Sequence, residues 1–172
     1  MFRSILQFLF NERVERAAAL VAESEPPGAY TAVLFREAGP KGRFLLQKRI
    51  RRDKLYFGRI AMFGGHREGD ETPEECAIRE IEEETGVRLG HGELARVAAI
   101  KTFDNKGDVA VGHLFIVDDF DPERLDRRRI SEEGRLVRLR ENDFARNFRR
   151  FTPITALALQ LYFDYRELQA GE

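Results

Sequence analysis

One segment, residues 64–87, constrains this chain more than any other part of its sequence. It reads GGHREGDETPEECAIREIEEETGV, so glutamates stand inside an apolar pattern of helical spacing. At about 100° per residue, Glu80, Glu83 and Glu84 fall within one arc of such a helix. The neighbouring arc is apolar and is filled by Ala77, Ile78 and Ile81. Three carboxylates therefore border the buried face, whereas a merely solvated acidic helix would carry them opposite that face.

A carboxylate cluster of this kind predicts a bound cation. Glu80, Glu83 and Glu84 repel one another unless a positive charge neutralises them. Hard oxygen ligands without His or Cys favour Mg²⁺, with Mn²⁺ as a substitute. Arg79 lies four residues from both Glu75 and Glu83, and at that helical spacing a guanidinium can hold a carboxylate in position.

The residues before the glutamates predict how the helix begins. Thr72 is a natural N-cap, Pro73 suits the first turn, and Glu75 completes a capping box. Upstream, Gly64 and Gly65 begin a loop of residues 64–69, called the glycine loop, in which the backbone can approach a ligand closely. A glycine loop that leads into a helix is also suited to phosphate.

The whole segment resembles the Nudix box of the Nudix hydrolases. The order is Gly65, five residues, Glu71, seven residues, Arg79-Glu80-Ile81, one residue, Glu83-Glu84, one residue and Gly86-Val87. Every defining position of the box is matched. The resemblance implies an α/β fold of the α+β type, in which a mixed β-sheet is sandwiched between helices. It also implies Mg²⁺-dependent hydrolysis of a nucleoside diphosphate linked to another group.

Roles for individual residues also follow from the resemblance. The implied metal ligands are the carbonyl of Gly64 and the carboxylates of Glu80, Glu83 and Glu84. Arg79 would orient a glutamate, and Glu71 would help to fix the loop. Many members of the family use a further glutamate outside the box as base or metal ligand. Glu132 and Glu133 are candidates for that role in an expected loop before the last strand, although exposed loop acids are an equally good interpretation.

Two further residues are candidates for substrate binding. Arg49 ends a strand that is expected near the site, so its guanidinium could contact phosphate. His66 lies inside the glycine loop and could touch the substrate. The alternative is that both side chains are simply solvated.

The rest of the chain predicts strands and helices mixed within one domain. The predicted strands are 30–36, 43–49, 59–63, 94–103, 109–117 and 135–139, and the predicted helices are 72–85 and 152–168. The strand 109–117 is apolar on both faces, so it should be central in its sheet. Asp104–Gly107 would form the turn before it.

The first 25 residues predict an amphipathic helix ahead of a Nudix domain at 28–172. Its apolar residues recur at spacings of three to five, and Pro26-Pro27-Gly28 cannot continue it. Such a stripe packs on the domain or on a second subunit, so a homodimer is one expectation. Charged residues interrupt the stripe, which is not typical of a secretory signal, and we expect a cytoplasmic protein. No run of eighteen apolar residues predicts a membrane span.

Charge and motif together define the expected function. The 29 basic residues nearly balance the 30 acidic ones, and a net charge of −1 argues against strong overall attraction to nucleic acid or membrane. We therefore expect a nucleotide-type small-molecule substrate, attacked at phosphorus by a metal-activated water. The alternative is a catalytically silent nucleotide-sensing Nudix module. Such a sensor would be expected to lose a box glutamate, and none is lost here.

Overall fold

The computed structural model describes residues 29–39, 41–53, 55–103 and 109–170. Its strands are β1 (Tyr30–Glu37), β2 (Phe44–Arg49), β3 (Ile60–Ala61), β4 (Ala95–Phe103), β5 (Val109–Phe120) and β6 (Gly134–Leu139). Its helices are α1 (Pro73–Thr85), α2 (Arg127–Glu133), α3 (Phe144–Asn147) and α4 (Pro153–Ala170). The helix expected over 1–25 and the turn expected at Asp104–Gly107 lie outside the described residues. Within the described ranges, no helix is both long enough and apolar enough to cross a bilayer.

The strands form one mixed sheet. Their order is β3–β2–β1–β5–β4, and β6 pairs with β2 on a separate path. β1 and β5 run parallel, with Tyr30 opposite Gly112 and Phe35 opposite Val117, while the other named pairs are antiparallel. β5 lies between β1 and β4, which confirms the prediction that it is central.

Apolar clusters cover both faces of the sheet, because successive side chains of a strand point to opposite sides. Val33 of β1 belongs to the cluster that contains Ile81 of α1. Its neighbour Leu34 belongs to the cluster that contains Leu159 and Tyr162 of α4. The sheet is therefore sandwiched between α1 and α4, in agreement with the expected fold class.

Both ends of α1 are set by local sequence. The hydroxyl of Thr72 accepts the N–H of Glu75 at 3.2 Å, and the Glu75 carboxylate accepts the N–H of Thr72 at 2.7 Å. The helix ends at Gly86, whose φ of 72° is left-handed and whose N–H donates to the carbonyl of Glu82 at 3.0 Å. The predicted capping box is therefore present. The Glu75 carboxylate is therefore bound to Thr72, although helical spacing also allowed it to pair with Arg79.

Residues 127–133 correct the sequence analysis. They form α2, where the carboxylate of Asp126 caps the first turn by accepting the N–H of Arg128 at 2.9 Å. β6 begins at once with Gly134, so Glu132 and Glu133 end a helix and do not lie in a loop. The segment reads RRRISEE, and this run of charge hides the helix because apolar periodicity is the main sequence signal.

Candidate active site

Backbone hydrogen bonds fix the glycine loop to the first strand. The N–H of Thr31 donates to the carbonyl of Gly65 at 2.8 Å, and the N–H of Val33 donates to Phe63 at the same distance. Gly64 lies between these bonds with a φ of 130°, a value that favours glycine. A Cβ at this position would overlap the carbonyl oxygen of Thr31. The close approach of loop and strand therefore requires glycine at position 64.

Two glutamates of α1 reach this loop. The carboxylate of Glu84 accepts the N–H of Gly64 at 2.9 Å. The carboxyl group of Glu80 fills the space that a side chain on Gly65 would need, and 15% of the Glu80 side chain is exposed. The helix thus turns two of its carboxylates towards the backbone of the loop.

Arg79 ties α1 to the loop from the other side. Its guanidinium donates to the two carboxylate oxygens of Glu71 at 2.7 and 3.1 Å, and to Glu80 at 2.8 Å. It also donates to the carbonyl of His66 at 3.0 Å. The carboxylate of Glu83 lies 3.6 Å from the same guanidinium. One arginine therefore positions two glutamates and the main chain of the glycine loop.

The charges in this network reinforce one another. The hydrogen bonds from Arg79 lower the pKa of Glu71 to about 2, and the N–H of Glu68, which donates to the same carboxylate, lowers it further. The pKa of Arg79 is raised above its usual value, mainly by the hydrogen bonds to Glu71 and to a smaller extent by the hydrogen bond to Glu80. Glu71 and Arg79 therefore keep opposite charges throughout the neutral pH range, and the loop stays fastened to the helix.

Cys76 lies on α1 beside this network and is fully buried. Its sulfur is 3.3 Å from the hydroxyl of Thr31. Burial raises the pKa of the thiol to about 11, so the thiol is protonated at neutral pH. Nucleophilic attack requires the thiolate, and Cys76 is therefore a packing residue.

The side chains around the loop match the ligands that a hard divalent cation prefers. Glu80 and Glu84 offer carboxylate oxygens beside the loop, and Gly64 offers a backbone carbonyl. In the part of the chain that the structure describes, no three His, Cys, Asp or Glu side chains are gathered closely enough to enclose an ion. Glu80 is bound to Arg79, and the side chain of Glu83 is 61% exposed. The donor chemistry fits Mg²⁺, and binding requires these carboxylates to turn towards a common point.

The other candidate residues lie around the same end of the sheet. His66 has an exposed side chain and joins the network through its carbonyl. Arg49 ends β2 directly opposite Gly134, the first residue of β6. Glu132 and Glu133 immediately precede that glycine, so the end of α2 lies beside Arg49. The structure thus separates these candidates into one inside the glycine loop and three around the end of β2.

The family relationship extends well beyond the glycine loop and α1. The NUDIX domain matches residues 26–160, which is most of the chain. This chain belongs to the Nudix family. The matched region contains the glycine loop, the network of Arg79 and the whole of α1. No curated protein sequence matches the chain.

Solved structures share this Nudix fold at low sequence identity. The E. coli ORF135 protein has a TM-score of 0.65 and 20% identity, with 87% of this chain and 98% of that chain covered. A C. elegans Ap4A hydrolase in a binary complex has a TM-score of 0.61 and 15% identity, with coverages of 84% and 99%. Shewanella oneidensis NrtR, solved in complex with a 27mer DNA, has a TM-score of 0.58 and 16% identity, with coverages of 82% and 61%. At these identities the similarity establishes the fold.

Proposed function

We propose that this Nudix protein is a Mg²⁺-dependent pyrophosphohydrolase that cleaves a nucleoside diphosphate linked to another group. The observation that carries the proposal is the meeting of α1 and the glycine loop. There, Glu80 and Glu84 adjoin the loop backbone while Arg79 fastens Glu71. The box has all of its glutamates, which supports an active enzyme over a silent one.

In this mechanism the protein acts mainly by positioning. Gly64, Glu80, Glu83 and Glu84 would hold Mg²⁺, which supplies neutralisation of phosphate charge and a bound water of lowered pKa. Because phosphoryl transfer depends on alignment and charge stabilisation, a loop fastened by hydrogen bonds suffices without a covalent nucleophile. Water attacks phosphorus, its oxygen forms the new P–O bond, and the bridging P–O bond breaks towards the leaving phosphate.

A carboxylate must take the proton of the attacking water. Glu83 is a candidate because it is the most exposed of the three helix glutamates considered for the metal. Glu132 and Glu133 are further candidates as base or metal ligand, now from the end of α2. We propose that Arg49 and His66 contact the substrate from the same end of the sheet.

Substitution of the glutamates tests this function. Glu83→Gln and Glu84→Gln should each lower kcat by at least about tenfold, because each loses a charge that stabilises the transition state. Both variants should keep a near-wild-type melting temperature, since neither side chain fills the core. Glu82→Gln is the matched control, because the Glu82 carboxylate lies on the same helix and pairs with Arg88 at the surface, at 2.8 Å.

The assay is a panel of nucleoside diphosphate derivatives and nucleoside triphosphates, with phosphate release and product mass measured at saturating Mg²⁺. Wild-type rates in both Glu83→Gln and Glu84→Gln would overturn the site assignment. Absence of turnover with both Mg²⁺ and Mn²⁺ would favour the nucleotide-sensing module. The Nudix fold of NrtR in its DNA complex shows that this fold also occurs in DNA-bound proteins.

A further inference from the structure

Tyr30, which the sequence analysis did not single out, opens β1 at the end of the sheet that carries the glycine loop. It is paired with Gly112 of β5 on one side and with His66 on the other. The next residue, Thr31, donates its N–H to the carbonyl of Gly65. Tyr30 is therefore one residue from the strand position to which the candidate metal loop is fastened.

The ring of Tyr30 lies across β5, in the space that a side chain at position 112 would occupy. A Cβ built on Gly112 would come within 2.5 Å of both Cζ and the phenol oxygen of Tyr30. Gly112 does not have a positive φ, so its missing side chain serves this close approach and not a turn. Tyr30 and Gly112 together make a flat aromatic surface on the sheet.

This ring does not complete the core. Ala32 and Leu34 share its face of β1 and belong to the cluster under α4, whereas Tyr30 belongs to neither apolar cluster of the described residues. Its side chain is half-buried, and the exposed imidazole of His66 lies beside it, with ring centroids 6.2 Å apart and planes inclined by 56°. The ring is thus a platform between the core and the glycine loop.

The hairpin between β2 and β3 also carries exposed aromatic side chains. Tyr56 and Phe57 at its tip are 43% and 50% exposed, and Tyr56 has a strained φ of 60°. Burial, and then the nearby phenol of Tyr56, raise the pKa of Tyr30 to about 12. Tyr30 is therefore a neutral aromatic group at working pH.

We propose that the Tyr30 ring, with the imidazole of His66 beside it, stacks the nucleobase of the substrate and so favours nucleotides over diphosphates that lack a base. This inference rests on the proposed function, because it takes the diphosphate to lie at the glycine loop. The platform lies beside that loop and is half-buried, so a base that covers the ring leaves its phosphates next to the backbone of the glycine loop. Every base has a π-face, so stacking on an aromatic side chain accepts different bases.

Equilibrium binding tests the platform without turnover. The full chain is titrated with ADP, GDP, CDP and UDP in EDTA, and with inorganic pyrophosphate as a probe that lacks a base. Tyr30→Leu should weaken binding of the preferred nucleoside diphosphate by about tenfold, the order expected for loss of one base–aromatic stack. Pyrophosphate binding should fall far less. Tyr30→Phe should restore affinity to within about threefold, because the ring and not the hydroxyl makes the stack.

Tyr162→Phe is the control, because Tyr162 lies in the core under α4 and its phenol contacts Arg166 at 3.3 Å. Gly112→Ala displaces the ring without removing it, and it carries the test if Tyr30→Leu does not fold. Three results would each overturn the proposal. They are an equal loss of affinity for nucleotide and pyrophosphate in Tyr30→Leu, an unchanged nucleotide affinity in that variant, and equal wild-type affinities for nucleotides and pyrophosphate. Since these titrations need neither metal nor hydrolysis, their outcome is independent of the rates measured for Glu83→Gln and Glu84→Gln.

Discussion

Alanine substitutions at Gly64 and at Gly65 should distinguish the contribution of the glycine loop to stability from its contribution to catalysis. At Gly64 the new Cβ meets the rigid backbone of Thr31, whereas at Gly65 it meets the flexible end of Glu80. The φ of 130° at Gly64 adds about 1–3 kcal/mol of strain for an alanine. Two hydrogen bonds that fasten the loop to β1 are weakened as well, at about 1 kcal/mol each.

Gly64→Ala should therefore lower the free energy of unfolding by about 3 kcal/mol or more. Gly65→Ala should lower it by about 1 kcal/mol, because the Glu80 carboxylate can turn away at the cost of a partly exposed ion pair. Gly65→Ala should nevertheless reduce turnover by at least about tenfold, since Glu80 leaves the position proposed for metal binding.

Urea denaturation at pH 7 gives the two stabilities, and turnover is measured at saturating Mg²⁺. Gly92→Ala is the control, because a Cβ there meets nothing within 4 Å. Its stability should stay within about 0.5 kcal/mol of wild type. Equal losses of stability at positions 64 and 65, or wild-type turnover in Gly65→Ala, would refute this reasoning.

Three further predictions concern acid stability, the bond that breaks and the amino terminus. Because the pKa of Glu71 is depressed, its ionised carboxylate stabilises the fold above pH 4.5, and this stabilisation is lost as the pH falls towards 2. The melting temperature of Glu71→Gln should therefore fall less over that pH range than that of the wild type. An equal fall in both proteins would contradict the ion pair with Arg79. Hydrolysis in ¹⁸O water should place the label in a phosphate-bearing product, and label found only in a released sugar would exclude attack at phosphorus. Deletion of residues 1–24 should lower the melting temperature or change the oligomeric mass, because an apolar stripe needs a cover; if neither changes, the stripe has no packing role.

The sequence predicts best where neighbouring residues decide the structure. Thr72 and Gly86 set the two ends of α1 through bonds within one or two helical turns, so the helix could be placed to within a residue. Arg79 is different. Helical spacing offered Glu75 and Glu83, and Glu83 does lie 3.6 Å away, but the shortest bond goes to Glu71, which the fold brings from the preceding loop. The platform at Tyr30 was not foreseeable, since it depends on pairing with Gly112 from a distant strand.

The helix α2 shows a second reason for failure. Asp126 caps its first turn. An aspartate predicts the start of a helix only when apolar residues follow at helical spacing. Ile130 is buried, and charged side chains surround it in the sequence. The position of Glu132 and Glu133 at the end of a helix therefore comes from packing against α1 and β6, to which α2 is adjacent.

The parallel pairing of β1 with β5 has a consequence for synthesis on the ribosome. About 80 residues separate the two strands, so at cellular elongation rates β1 waits roughly 4–16 s for its partner. During that interval one edge of an apolar strand, and the face of the Tyr30 ring that lies over Gly112, have no neighbour to cover them. Nascent chains shorter than about 120 residues therefore offer an open strand edge to holdase chaperones. The strand to which the glycine loop is fastened gains its parallel neighbour only when the second half of the domain has emerged.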